Sequence, residues 1–260
     1  MNLIRRILAL GFMVLLPAAG LVSGALASTI TVPGTANIFG AGHGTPPAPD
    51  SGGAGTLPIL ITLPADASYI QFDSITGSVI WDPGWPSNGA EGSTSGYGST
   101  DISSYGGISG IAHSQRIMFL TGVFLTDATP ADPAPARLSF TDASTSFASL
   151  SPLLDQTFYI GDGLTGHGSG AVQQFYVPQG ATRLYLGFAD SMNFHSSPGQ
   201  YGDNSGQLTV NYTAVVPLDN SPTSWSRAAG DPGSWDLAGN WTSKAPTALS
   251  SPLKKSLFCR

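Results

Sequence analysis

Polar and apolar positions alternate most cleanly in residues 183–212, RLYLGFADSMNFHSSPGQYGDNSGQLTVNY. At its start Leu184, Leu186 and Phe188 share one face and Arg183, Tyr185 and Gly187 the other. At its end Leu208, Val210 and Tyr212 oppose Gln207, Thr209 and Asn211. Period-two alternation marks half-buried strands. Similar apolar runs occur earlier: LPILITL, YIQFD and TGSVIW within 57–81, HSQRIMFLTGVFLT from His113, RLSFT at 137–141, QTFYI at 156–160 and AVQQFYV at 171–177. Ile30, Val32 and Ile38 are candidates for an edge strand. About nine short strands separated by Gly and Pro turns predict an all-β chain, a two-sheet antiparallel β-sandwich of jelly-roll or galactose-binding-like form.

Composition sharpens this picture. The chain carries 33 Gly and 20 Pro in 260 residues with only 10% charged positions, a balance that suits a secreted, turn-rich β protein. Every acidic residue except Glu91 is Asp, which favours turns and caps over helix surfaces. Within 28–217 the cations are Arg116, Arg137 and Arg183, with no Lys. So acidic a core argues against nucleic acid and anionic membranes as partners and suits cations and neutral ligands. Cys259 is the single cysteine, which excludes an intramolecular disulfide and a cysteine metal cluster.

Two end segments stand apart. Residues 1–27 read as a signal peptide, with Arg5 and Arg6, an apolar run from Ile7 to Leu16, and a small-x-small site at Ala25-Leu26-Ala27. Export follows, to the outside of the cell, its surface or the periplasm, with no later segment apolar enough to span a bilayer. The sandwich is expected over 28–217. Residues 218–260 hold Trp225, Trp235, Trp241 and the lysines without alternation, and read as a linker and the start of a Trp-rich repeat, poorly ordered.

The chemistry concentrates in the loop between the two alternating segments. Asp190, Asn193, Gln200, Asp203 and Asn204 lie there among Pro198, Gly199, Gly202 and Gly206. Carboxylates, amides and free carbonyls on a glycine-rich loop suit Ca²⁺, which takes six to eight oxygens. The same residue types are ordinary turn formers, and the spacing is not that of an EF-hand. The stretch from Asp82 to Gly110 is long, and Trp81, Trp85, Tyr97 and Tyr105 in and beside it could stack on sugar rings or cover the sandwich end. His43 reads as a solvated loop residue. His113 with Ser114 and Asp101 suggests a hydrolase only weakly, since no G-x-S-x-G elbow occurs. His167 and His195 lack zinc spacing, though His195 lies beside the candidate calcium loop. Asp162 in IGDGLTG is either a turn residue or a support for that loop.

Asp190 followed by PGQYGDNSG and a closing strand resembles the calcium loop of the bacterial galactophilic lectins, small β-sandwiches that hold Ca²⁺ and sugar hydroxyls together. The resemblance implies that Asp190 is the first carboxylate ligand, that Gln200 supplies a backbone carbonyl, and that Asp203 and Asn204 match an Asn-Asn pair. A carbonyl near Asp73 to Gly77 would complete the shell, and Asp162 stands where that family has Asn. Two departures count: the insertion SMNFHS falls where the sugar would sit, and Asp203 adds a charge. IGDGLTG, GATRLYLGFAD and PG-x-Y-x-DNSG also resemble, more closely, exported bacterial proteins of the PEP-CTERM-associated type, whose sorting tail is not seen here. The expected function is a non-enzymatic, calcium-dependent, lectin-like carbohydrate-binding module. Its metal ligands would be Asp190, Gln200, Asp203 and Asn204, and its ligand contacts Asn193, His195, Trp85 and Tyr105. A structural or adhesive envelope protein stiffened by calcium is the alternative, and a hydrolase ranks last.

Overall fold

The computed structural model describes residues 25–217, so the expectations for 1–24 and 218–260 fall outside the described residues. The described chain is all-β, with fourteen strands and two short 3-10 turns. In order the strands are β1 (Leu26–Pro33), β2 (Ile59–Thr62), β3 (Tyr69–Ile80), β4 (Thr100–Ile102), β5 (Ile111–His113), β6 (Leu120–Leu125) and β7 (Leu138–Phe140). They continue as β8 (Ser149–Leu150), β9 (Phe158–Tyr159), β10 (Leu164–Gly166), β11 (Ser169–Val172), β12 (Gln174–Tyr176), β13 (Arg183–Phe188) and β14 (Ser205–Val215). One sheet runs β1-β14-β3-β12-β8 and the other β2-β13-β6-β9, with a smaller β4-β5-β7 sheet and a β10-β11 hairpin. Pairing is antiparallel apart from two short parallel contacts, β12 with β8 and β5 with β7.

Aromatic rings from both sheets meet in the core. Phe158 of β9 stacks on Phe175 of β12 with centroids 5.4 Å apart, and Phe175 meets Phe72 of β3 edge-on at 5.4 Å. All three rings are fully buried. Offset and edge-on pairs of this kind add to the area they bury.

Several elements differ from the pattern read in sequence. YIQFD and TGSVIW are one strand, β3, paired along β14 with a shift at Asn211 and Tyr212 that leaves Asp73 unmatched. β13 is not half-buried: residues 184–188 are all covered, because β2 and β6 flank it and the Ala36 carbonyl crosses Gly187. HSQRIMFLTGVFLT divides into β5 and β6. Between them the buried Arg116 reaches Asp142 at 2.6 Å, and Met118 takes a left-handed conformation. The 82–110 stretch combines local turns, such as Asp82 to Trp85 and Tyr105 to Ile108, with bridges to residues outside it, Asn88 on Val79 and Ser93 on Ile117. β1 is an edge strand as expected, whereas Ile38 sits in a buried 3-10 turn. Leu26 and Ala27, inside the expected leader, pair with Ala214 and Thr213. No helix among the described residues is long and apolar enough to cross a membrane.

Candidate cation site

The loop from Ala189 to Asn204 passes from one main sheet to the other, since β13 and β14 belong to different layers. Tyr201 pins it from below. The fully buried hydroxyl donates to the Phe188 carbonyl at 2.9 Å and accepts the Asp190 N–H at 3.0 Å. Gly199 N–H donates to the Asp190 carbonyl at 3.0 Å, so the inserted SMNFHS folds as a separate lobe. A second wall comes from residues 50–53, in the Pro- and Gly-rich stretch GHGTPPAPDSGGAG. Gln200, Tyr201 and Gly202 N–H groups donate to the carbonyls of Ser51, Gly53 and Gly52 at 2.9, 3.1 and 2.9 Å. Gly53 has a φ of 97°, and a Cβ there would lie 2.8 Å from the Gly202 backbone, so this lacing requires glycine.

Three carboxylates face the cleft beneath the loop. Asp190 is only 2% exposed, and Asn204 Nδ2 donates to its Oδ2 at 2.8 Å and to the Gly34 carbonyl at 3.2 Å. Asn204 Oδ1, also buried, has no hydrogen-bond partner. Burial drives the Asp190 carboxyl well above the usual carboxylate range, and the charge of Asp203 pushes the same way against the bonds from Asn204 and Ser191. Asp203 is raised as well, first by partial burial and then by Asp82. Even with its two hydrogen bonds, a carboxyl buried as deeply as that of Asp190 either stays protonated or is offset by a cation. Asp82, Asp190, Asp203, Gln200 and Asn193 line the cleft with Trp81 and Tyr97. Its volume of about 90 Å³ compares with ~30 Å³ for one water, which is room for an ion and its water, whereas sites that engulf small molecules run to ~300 Å³ or more. No three His, Cys, Asp or Glu side chains among the described residues already form a metal-ligand set. A cation here would therefore draw on amide and main-chain oxygens too; Asn204 Oδ1, behind Asp190 and outside the cleft lining, is one without a hydrogen-bond partner.

The remaining candidates divide. Gln200, at a φ of 67°, turns its side chain away to the Asp50 carbonyl, 3.2 Å from Nε2. Its N–H is spent on the Ser51 carbonyl, so only the main-chain carbonyl is left for the role the resemblance implies. Asn193 reaches the cleft, and the exposed His195 sits on the inserted lobe beside it. Trp85 stacks on Trp81 at 5.1 Å, and Trp81 meets the buried Phe194 at 5.5 Å. Tyr105 is not among the cleft residues; its main chain closes a turn with Ile108. Asp73 to Gly77 also lie elsewhere, in mid-β3 where Ser74 and Gly77 face Asn211 and Leu208. Trp81 and Asp82, just past the end of that strand, take their place. A larger hollow of about 390 Å³ between residues 63–67 and 177–182 has Asp66 as its one carboxylate and no convergent polar set.

Glu91, the chain's single Glu, anchors a second polar cluster that sequence reading missed. Its carboxylate accepts from Tyr159 at 2.9 Å and from the Asp162 N–H at 3.2 Å, touches His167, and lies 3.7 Å from Arg116. Burial opposes its charge, but hydrogen bonds from Asp162, His167 and Tyr159 outweigh that and hold its pKa down. Asp162 is raised by burial and by Glu91, and its carboxylate caps the hairpin through Leu164 and Gly168 N–H groups at 2.9 and 2.6 Å. It is a turn residue and does not touch the cation cleft. His43 is not solvated as expected; its Nε2 meets the Gly106 carbonyl at 2.8 Å.

His113 packs beneath this cluster among Phe119 and Tyr159, fully buried, with Nε2 unpartnered. Burial lowers its pKa to about 4, with Asp142 opposing. The hydrolase constellation that sequence ranked last does not form with Asp101, which pairs with Arg137. A group whose folded pKa is depressed destabilises the native state as pH falls from its unfolded value of ~6.5 toward its folded one. Melting temperature will therefore drop more steeply between pH 6.5 and 4 in wild type than in His113→Gln. Parallel melting curves for the two proteins would count against a buried neutral imidazole.

No protein-family model matches this chain, and neither the curated proteins nor the solved structures include one similar to it.

Proposed function

We propose that this is an exported, calcium-dependent carbohydrate-binding module. The observation that supports it most is the buried Asp190 carboxyl beside an unpartnered Asn204 oxygen, on a loop whose residues resemble a lectin calcium loop. Asp190, Asp203 and Asn204 would hold the ion, with the Gln200 main chain and Asp82 close by. Calcium bound there would offset the crowded negative charge and leave positions for hydroxyl oxygens. The cleft is too small to enclose a hexose, so a sugar would lie across its mouth, against the exposed Trp85 and Tyr97. Asn193 and His195 would border it. The acidic core, with its three arginines engaged by Asp142, Asp101 and the Thr126 carbonyl, suits a neutral glycan over an anionic one.

The same loop supports a second reading, in which calcium only joins the two sheets of a structural or adhesive envelope protein. A glycan array probed with the purified protein, with and without chelator, separates the two. Binding that vanishes with chelator is the expected result. A calcium-stabilised protein that binds no glycan would leave the structural reading.

A further inference from the structure

We propose that Ser99 and His195 form a nucleophile and base that hydrolyse O-acyl esters at the rim of the cleft. The two residues are 96 positions apart in sequence, and Ser99 Oγ lies 2.8 Å from His195 Nε2. His195 Nδ1 lies 2.6 Å from the Asn193 carbonyl oxygen. A carbonyl can only accept, so Nδ1 carries the ring proton and Nε2 presents its lone pair to the serine hydroxyl. A nucleophile, a base within hydrogen-bond reach and a third group that fixes the tautomer make up the working geometry of serine acyl transfer, here with a main-chain oxygen as orienter.

The surrounding backbone is built to hold that geometry. Asn193 and Phe194, two consecutive residues with side chains, sit in the left-handed region at φ of 53° and 59°. Such strain persists only where neighbours impose it, and it gathers at functional sites. Here Phe194 is buried against Trp81 and Tyr97, Met192 N–H donates to the Asp50 carboxylate at 2.6 Å, and Ser103 N–H donates to the Ser196 carbonyl at 3.1 Å. On the other side Ser99 leads directly into β4, where the Thr100 hydroxyl donates to the Arg116 carbonyl at 2.8 Å. Gly98, just before Ser99, has a φ of 71° and open space at its Cα. Residues 96 and 97 form a turn that Gly98 closes, and the N–H of Ser99, which donates no hydrogen bond among the described residues, can donate to an oxyanion on the attacked carbonyl.

In the first step Ser99 Oγ bonds to the ester carbonyl carbon as its proton passes to His195 Nε2. The carbon–alkoxy bond then breaks, and the alcohol leaves with that proton. Water next adds its oxygen to the acyl carbon and its proton to Nε2; the serine–acyl bond breaks and Oγ recovers the proton. Serine and histidine emerge unchanged, with a carboxylic acid and an alcohol as products. That the alcohol is a carbohydrate rests on the binding reading above.

The test uses the purified full chain with p-nitrophenyl acetate and a fluorophosphonate probe, in chelator so that the cation site plays no part. One probe adduct is expected, on the peptide holding Ser99, together with ester turnover that falls about 100-fold or more in Ser99→Ala and in His195→Gln. Both positions are on the surface, and melting curves establish that the variants fold. Turnover equal to that of Ser99→Ala, or an adduct on another residue, overturns the proposal. The calcium-induced rise in melting temperature, measured on the same variants, reports the cation site alone, so either proposal can fail without the other.

Discussion

Calcium at about one hundred times its dissociation constant will raise the melting temperature by roughly 5–10 °C, and Asp203→Ala will erase that rise. Binding to the native state alone at that concentration contributes ~2.7 kcal/mol, and a domain of this size gains ~2–4 °C per kcal/mol. Asp203 is the informative position because it is exposed and lines the cleft beside Asp82, so its loss disturbs little else. Without calcium the variant should melt within about 2 °C of wild type, as surface changes cost ~0.5 kcal/mol or less. A calcium response that survives in the variant, read by scanning calorimetry, would remove Asp203 from the site.

The second large effect lies in the core. Phe175→Ala will destabilise the protein by about 3–5 kcal/mol, a large fraction of the ~5–15 kcal/mol margin of an ordinary domain. Its ring touches Phe72, Phe147 and Phe158, so truncation leaves a cavity between the two sheets that stiff neighbours cannot fill. Phe175→Leu keeps most of the volume and should cost less than half as much. Chemical denaturation of both variants checks the ordering, and equal losses would mean that the rings do not join the layers as described.

The fold class was readable because the alternation around Leu208 and Val210 is strong and uninterrupted, and the burial of both confirms the inward face. Where burial is continuous whatever the residue, as from Ile117 to Leu125 with Thr121 and Gly122 inside it, periodicity has nothing to act on. The break before β6 is set by an ion pair between Arg116 and Asp142, 26 residues apart. The 82–110 stretch misled for a related reason. Its Gly and Ser residues signal turns, yet Ile102 and Ile108 are fully buried through partners that no local pattern reveals.

The candidate site was legible by its residue types and not by its walls. Asp190, Gln200, Asp203 and Asn204 stand close in sequence and come together in space, apart from the Gln200 side chain. Asp50, Gly52 and Gly53 lie some 150 residues earlier in a Pro/Gly stretch that looks like a spacer. Only the paired glycines facing Gly202 hint at the close approach. Tyr201 gave a similar partial signal, since an aromatic amid turn formers implies burial but does not say that its hydroxyl would carry the Asp190 amide.

The crossing between β13 and β14 has a mechanical consequence. Asp190 follows the last strand residue of one layer by two positions, and Asn204 immediately precedes the first strand residue of the other. An ion gripped by both would act as a rivet between the layers. A pull that slides one sheet over the other would have to strip the ion before the phenylalanine stack could part, so the force this protein withstands would rise and fall with the calcium of its surroundings.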